Sequence, residues 1–420
     1  MSETLIEHPM HDVAKLPTGF GRLWTAQTVS SLGDGVTHAA LPLLALTLTR
    51  DPMALAVVTA AGTLPWLLFG VLGGALVDRW DRRRTMWVAD TMRAVLLAVP
   101  VAAAALDVLS IPLLAAVAFL LALGGLFFDT AATAYLPDLL RRDPALLERA
   151  NARLRSTQTA ASGFAGPPAG SALLTLGRAV PLLADMVSFV LSALLVRSLP
   201  AVPRPAAVAR ESLLRQARAG ASYVLRDRLL LGLALRPAVG NVAFLAVETV
   251  LALFTHERLG MGAFGFGLLL TAEAAGGLLG AGVASFLGRR LGTGTALTCT
   301  AAVEGLAILG LAAAPNPYVA GLALAVCGAG MGATMVLAPS LRQAIVPAHL
   351  MGRVASTSRM LAMCAAPFGA FLGGWLATAY DLRTPLYAAA GLLLAMTAVT
   401  ATMTSNRRVE TALRNAATSP

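Results

Sequence analysis

Apolar residues run through this chain in blocks of about twenty, separated by short polar connections. A bilayer core of about 30 Å calls for a helix of that length. In lipid every backbone N–H and C=O must be satisfied inside the segment, so such blocks predict membrane-crossing helices and not open strands. Six are expected at Leu23–Leu48, Ala54–Val77, Met86–Leu106, Ile111–Tyr135, Thr157–Leu176 and Ala179–Leu199. Six more are expected at Leu229–Phe254, Phe264–Leu287, Thr293–Ala314, Pro317–Pro339, Thr357–Tyr380 and Pro385–Thr404. The chain thus divides into an N-terminal segment (1–20), a six-helix unit (21–199), a connection (200–228), a second six-helix unit (229–404) and a tail (405–420). The expected fold class is an all-α membrane protein with twelve transmembrane helices in two pseudo-symmetric bundles.

The polar connections alternate in character. Arg79, Arg82, Arg83 and Arg84 follow the second block, Arg141, Arg142, Arg149, Arg153 and Arg155 the fourth, Arg289 and Arg290 the eighth, and Arg342 and Arg353 the tenth. Connections on the other side carry only Arg50, Arg178, Arg258 and Arg383. Positive charge is retained on the cytoplasmic side of a membrane protein, so both termini are expected there, in a multi-pass protein of the cell membrane. Composition agrees: 57% of the 420 residues are hydrophobic and 13% charged, against about 25% charged in a soluble domain. The net charge of +10 is accounted for by this topology, and no nucleic-acid partner is expected. Cys299, Cys327 and Cys364 lack any paired spacing for a metal or a disulfide, and no cofactor is expected. Residues 1–19 have no apolar core, so no cleavable signal peptide is expected.

The two units repeat each other. Pro137 and Pro167 in the first correspond to Pro339 and Pro367 in the second, with an arginine-bearing loop between them in each copy. Duplicated halves around a central site are a transporter architecture. In the connection, Leu214, Ala217, Ala221 and Val224 recur at helical spacing, which fits either a helix lying on the membrane surface or a plain solvated linker.

The second block ends GALVDRWDRRR, in which Gly74, Asp78, Arg79, Arg82 and Arg83 fit the spacing G-x-x-x-D-R-x-x-R-R. This resembles the loop signature of the major facilitator superfamily, where the loop clasps the cytoplasmic gate. The matching site after the eighth block keeps Gly282, Arg289 and Arg290 but has Phe286 in place of the acid. Gly166, Pro167 and Gly170 in the fifth block resemble the G-P-x-x-G-G motif of antiporters of that superfamily, with Ser171 at the last glycine. The stretches SLGDGVTHAALPLLALTLTR, ADMVSFVLSALLV and HLMGRVASTSRML are similar to its drug:proton antiporter branch, which includes macrolide-efflux and enterobactin-exporter-like proteins. The resemblance spans Phe20 to Thr404. It implies the major facilitator fold and export of a small amphipathic molecule (drug, antibiotic or siderophore-like metabolite) in exchange for protons. It also implies cavity-lining first helices in each three-helix unit, which places Asp34, Asp129, Arg236, Asn241 and Glu248 on cavity helices and Glu304 on a peripheral one.

Charges inside apolar helices are costly and point to function. Asp34 falls near mid-bilayer, and His38 lies one turn further on the same face, where the two can share a proton. The alternative is that Asp34 bonds to a neighbouring helix and never titrates. Glu273 and Glu304 also fall near mid-depth. Asn241 and Glu248, seven apart, share a face; Arg236 can neutralise an acid that the sequence does not identify. Asp129 is assigned to the inner gate. Asp90 and Arg93 read as an intrahelical pair near the clasp, Glu304 as an acid with a structural partner, and Asp185 as a group reaching interfacial water. Phe244 and Met360 are candidates to meet an apolar substrate. Asp34, with Glu248 or Glu273 as a second site, is the expected proton carrier. A monomer exchanging protons for a small molecule is expected. The rival readings are a facilitator without proton coupling and a membrane-embedded transferase; the latter lacks the clustered acids such a site needs.

Overall fold

The computed structural model describes residues 16–77, 79–201 and 221–418. The first unit is built from α1 (Thr18–Leu48), α2 (Pro52–Val77), α3 (Arg82–Ala105), α4 (Ile111–Leu139), a fifth rod and α7 (Val180–Arg197). The fifth rod comprises α5 (Pro144–Thr159), a π-helical turn (Ala160–Ala165) and α6 (Gly166–Leu176). The second unit comprises α8 (Arg228–Glu257), α9 (Ala263–Leu291), α10 (Thr293–Ala312), α11 (Pro317–Ile345), α12 (Ala348–Ala379) and α13 (Thr384–Met403). A last helix, α14 (Asn406–Thr418), follows.

Local chemistry sets the helix starts. Asp81, Asp143, Asp227 and Asn316 each accept backbone N–H bonds from the first turn of the helix that follows. The π-helical turn has an equally local cause. Pro167 and Pro168 lack N–H groups and their rings crowd the preceding turn, so the hydrogen-bond ladder re-registers over Ala160–Ala165. Among the described residues, ten helices are long and apolar enough to cross a membrane on their own account. The first carries many polar residues, and the fifth rod is interrupted.

Packing repeats from one unit to the other. In the first, α1 packs on α6 and α7, α2 on α4, and α3 on α4 and α7. In the second, α8 packs on α12 and α13, α9 on α11, and α10 on α11 and α13. Between the units, α2 packs on α12, and the π turn and α6 pack on α9. These contacts lie toward the face opposite the chain termini: Gly374 sits against Ala56 and Pro52, and Gly267 against Ser171 and Pro167. Arg50 and Glu257 span the units at that face, 3.8 Å apart. Nearby, Arg258 donates to Asp381 in the α12–α13 connection. Slight burial works against the charge, but the Arg383 N–H and the Arg258 guanidinium hold the Asp381 carboxyl below the usual carboxylate range. The pair therefore persists above that range and is lost as pH falls through the lowered value.

The tail expected beyond the last crossing is helical and docked. Asn406 accepts from the Thr295 N–H at 3.0 Å and donates to the Leu291 carbonyl at 2.9 Å, and Val409 is buried. Of the expected surface helix in the connection, Leu214 and Ala217 lie outside the described residues. Val224 is buried against Leu229, Leu230 and Leu233.

Candidate functional site

Helix α1 supplies the centre of the site. Gly166 and Gly170 allow it to meet α6 backbone to backbone. A Cβ on Gly166 would lie 2.6 Å from Gly35 Cα, and one on Gly170 would lie 2.3 Å from the Val36 carbonyl oxygen. The antiporter-like motif Gly166-Pro167-x-x-Gly170 therefore locks α6 against α1 beside Asp34 and His38. A valine at Gly170 is expected to force the two helices apart and reduce transport by about five- to hundred-fold, since overpacking of this kind costs about 1–3 kcal/mol. The check is efflux rate per folded protein, with Gly391, an exposed glycine that faces open space, changed to valine as the comparison.

The expected Asp34–His38 pair does not form. Each side chain takes a partner on another helix. His38 Nε2 lies 2.6 Å from Glu248 Oε1 on α8, across the boundary between the units. Asp34 accepts from Arg93 on α3, within its own unit. The anticipated Asp90–Arg93 contact is present but long, 3.4 Å, and Arg93 also stacks 3.8 Å from the centre of the Phe189 ring.

His38, Arg236, Asn241, Glu248, Glu273 and Glu304 all line one cavity of about 190 Å³, whose apolar wall includes Phe244, Leu251 and Met331. Met360 does not line it. Two parts of the polar lining differ in kind. Arg236 is fully engaged: it donates to the Leu297 carbonyl, Thr300, Glu304 and Thr334 at 2.6–3.1 Å. Glu304 thereby acquires the partner expected of it, and the acid neutralised by Arg236 is identified. Asn241 donates to the Ala362 carbonyl at 2.9 Å, tying α8 to α12. Glu248 and Glu273 instead face His38 across the unit boundary. The chemistry open to this arrangement is the exchange of protons between two carboxylates and an imidazole, in an apolar pocket that can take an amphipathic guest.

At the face carrying the termini, Arg82 donates to the Ala134 carbonyl and to Asp138, and Arg83 donates to the Leu199 carbonyl at 2.6 Å. The acid that Arg82 grips is thus Asp138 on α4, which the motif does not contain. Asp78 lies outside the described residues; Gly74 falls within α2, and Arg79 is exposed. In the second unit Arg290 lies over the Phe286 ring, 5.6 Å from its centre, where the repeat has lost its acid. Asp129 is exposed on α4 and faces Arg93 of its own unit and Arg359 of the other. Arg359 in turn lies 5.3 Å from the centre of the Trp66 ring. Asp185, expected at interfacial water, is fully buried, accepting from Thr37 at 2.5 Å and contacting Ser188 at 3.0 Å. The contacts Arg82–Asp138, Arg93–Asp34 and Thr37–Asp185 are among those the sequence did not reveal; for Arg93 and Asp185, depth in apolar helices was the available signal.

A family model described as transmembrane secretion effector matches residues 15–418. The multidrug efflux pump Tap of Mycolicibacterium fortuitum is 28% identical over 376 residues, covering 86% of this chain and 90% of that protein. Tap of Mycobacterium tuberculosis (strain ATCC 25618 / H37Rv) is 28% identical over 374 residues, covering 87% and 88%. Among solved structures, a bacterial homologue of the iron transporter ferroportin in an inward-facing state superimposes with a TM-score of 0.75 at 17% identity, over 93% of this chain and all of that one. The nucleoside transporter NupG gives a TM-score of 0.74 at 13% identity over 93% of the chain.

Proposed function

Since the chain belongs to the transmembrane secretion effectors, a family of major facilitator transporters, we propose that it exports small amphipathic molecules across the cell membrane in exchange for protons. The central cavity opens alternately to the two faces, and both termini lie in the cytoplasm. The observation that carries this reading is the 2.6 Å contact between His38 and Glu248, one from each unit. With one proton the pair is an imidazolium and a carboxylate, mutually neutral, and the units are tied together at the cavity. Loss of the proton leaves a neutral imidazole and an anionic Glu248, with Glu273 beside it. A guest bearing a cation or a donor can then occupy the carboxylates, so substrate and proton compete for the same groups.

Three further points support the reading. The similar Tap proteins are named as multidrug efflux pumps. The arginine bias of alternate loops favours cytoplasmic termini. The proton supply is adequate, since one charge crossing 100 mV releases about 2.3 kcal/mol. Asp34, bound by Arg93, is not the primary carrier in this reading; that place passes to His38 with Glu248 and Glu273. The experiment is dye uptake into everted vesicles, whose outer surface is the cytoplasmic face, under an imposed pH gradient. Collapse of the gradient with a protonophore is expected to abolish uphill transport. Unaltered uphill transport would remove the coupling, and downhill equilibration alone would favour a facilitator.

A further inference from the structure

The amino-terminal unit encloses a second polar cluster that the His38–Glu248 mechanism does not use. Asp34 and Thr37 reach it from α1, Asp90 and Arg93 from α3, and Asp185, Ser188 and Ser192 from α7. Asp90, Asp185 and Ser192 are wholly buried, and Arg93 is nearly so. A bare backbone at Gly124 makes room for the Arg93 stem: a Cβ there would lie 2.6 Å from Arg93 Cγ. Among the described residues Arg93 is the one basic group facing Asp90 and Asp185, and its close contact goes to Asp34; His38 faces Asp34, and Arg359 faces Asp129, from the edge of the cluster. Asp129 faces it from α4 and adds a further acid. One guanidinium therefore stands among several carboxylates in a medium that does not tolerate unpaired charge.

The hydrogen bonds around Asp185 say where a proton fits. Ser188 Oγ is 2.8 Å from the Asp185 carbonyl oxygen and 3.0 Å from Asp185 Oδ1. A serine has one proton to give, and the carbonyl can only accept. If Ser188 donates to the carbonyl, its contact with Oδ1 is completed by a proton on the carboxyl. Thr37 then donates to the other oxygen, Oδ2. In that arrangement neutral Asp185 uses both oxygens, whereas the anion has Thr37 alone until Ser188 turns from the carbonyl to Oδ1. Independently, Asp90 Oδ2, Arg93 Nε and Ser192 Oγ are buried without a hydrogen-bond partner. These are spare positions into which the charge can rearrange.

We propose that this cluster is a second proton-binding site within the amino-terminal unit, with Asp185 holding the proton and Asp34 as its outlet to the space between the units. Asp34 is suited to that part because its side chain is 43% exposed. On proton release Asp185 becomes an anion and draws Arg93 from Asp34 toward α7; on uptake Arg93 returns. The signal reaches the other unit through adjacent residues of one helix, since Thr37 bonds to Asp185 and His38 bonds to Glu248. Two protons then move per cycle.

The inference rests on the antiport reading, and reversal measurements in proteoliposomes separate the two. The probe is ethidium, with the proton-to-dye ratio read from the ethidium gradient at which net flux reverses at fixed pH gradient and zero voltage. Wild type is expected to carry two protons and Asp185→Asn one, while Glu248→Gln loses the proton assigned to the boundary. A wild-type ratio of one, or a ratio of two in Asp185→Asn, overturns the second site and leaves antiport standing. A ratio of zero in wild type overturns antiport itself and the second site with it. Should Asp185→Asn not fold, Thr37→Val provides the test. It removes a donor that favours the anion, so the second proton released on ethidium addition should leave at a pH about one unit higher. An unshifted release overturns the assignment.

Discussion

Glu248→Gln is expected to lose about ten- to hundred-fold of its gradient-driven efflux while still exchanging substrate across an equilibrated membrane. Glutamine keeps the shape of the side chain but cannot take up or release a proton. The His38 contact is 2.6 Å long and pairs groups on opposite units. Charge-assisted bonds of this kind contribute about 1.5–3 kcal/mol, and each 1.36 kcal/mol is a factor of ten in rate. What the variant loses is the difference in energy between protonated and deprotonated states, which is the quantity a gradient acts on. Passive exchange needs only that the units can move. Glu148, an exposed acid on α5, is the control, and Glu148→Gln should transport as wild type does. If Glu248→Gln responds to an imposed pH gradient as fully as the parent chain, the boundary pair is not where the proton acts.

The architecture was legible because lipid leaves few choices: a twenty-residue apolar run must be a helix. The expected spans differ from the observed helices mainly at their ends. The largest difference is the fifth rod, which begins at Pro144 and not at Thr157. Its first stretch carries Arg149, Arg153 and Arg155, so hydropathy had no reason to join it to the rest. The residues of the cavity were also legible by depth and face, as Asn241 and Glu248 show by lining the same wall. Their partners were not. Helical periodicity says which residues share a face, but not which neighbour that face meets. Asp34 and His38 are one turn apart, offset by about 40° around α1. That offset falls on the seam where α1 passes from its own unit to the other, so one side chain finds Arg93 and the other Glu248. Asp185 was misplaced for a related reason. Gly33 lets α1 press on α7 so closely that a Cβ there would lie 2.2 Å from Asp185 Oδ1, and the contact closes off an acid that sequence position alone had put near water.

Arg236→Met is expected to destabilise the second unit by about 3–5 kcal/mol, the range for removing one partner of a buried ion pair. Arg236 and Glu304 are each 11% exposed, and the guanidinium holds three further acceptors, the Leu297 carbonyl, Thr300 and Thr334. Deleting it leaves Glu304 as an uncompensated acid on α10, with only the Thr334 hydroxyl in reach, itself also directed at the Gly330 carbonyl. Deleting the acid is milder, because the guanidinium retains those three acceptors. Glu304→Gln should therefore cost less than Arg236→Met, and Arg236→Met combined with Glu304→Leu should recover most of the loss. The midpoint of thermal unfolding of the detergent-solubilised protein reads all three. The same series separates this pair from the proton site, although both line one cavity. Glu304→Gln should keep the pH response of efflux, because its carboxylate is held by Arg236 within one unit and has no contact across the boundary to break. If Glu304→Gln abolishes gradient-driven efflux without lowering stability, the division between a structural pair and a coupling pair fails, and Arg236 and Glu304 belong with His38 and Glu248.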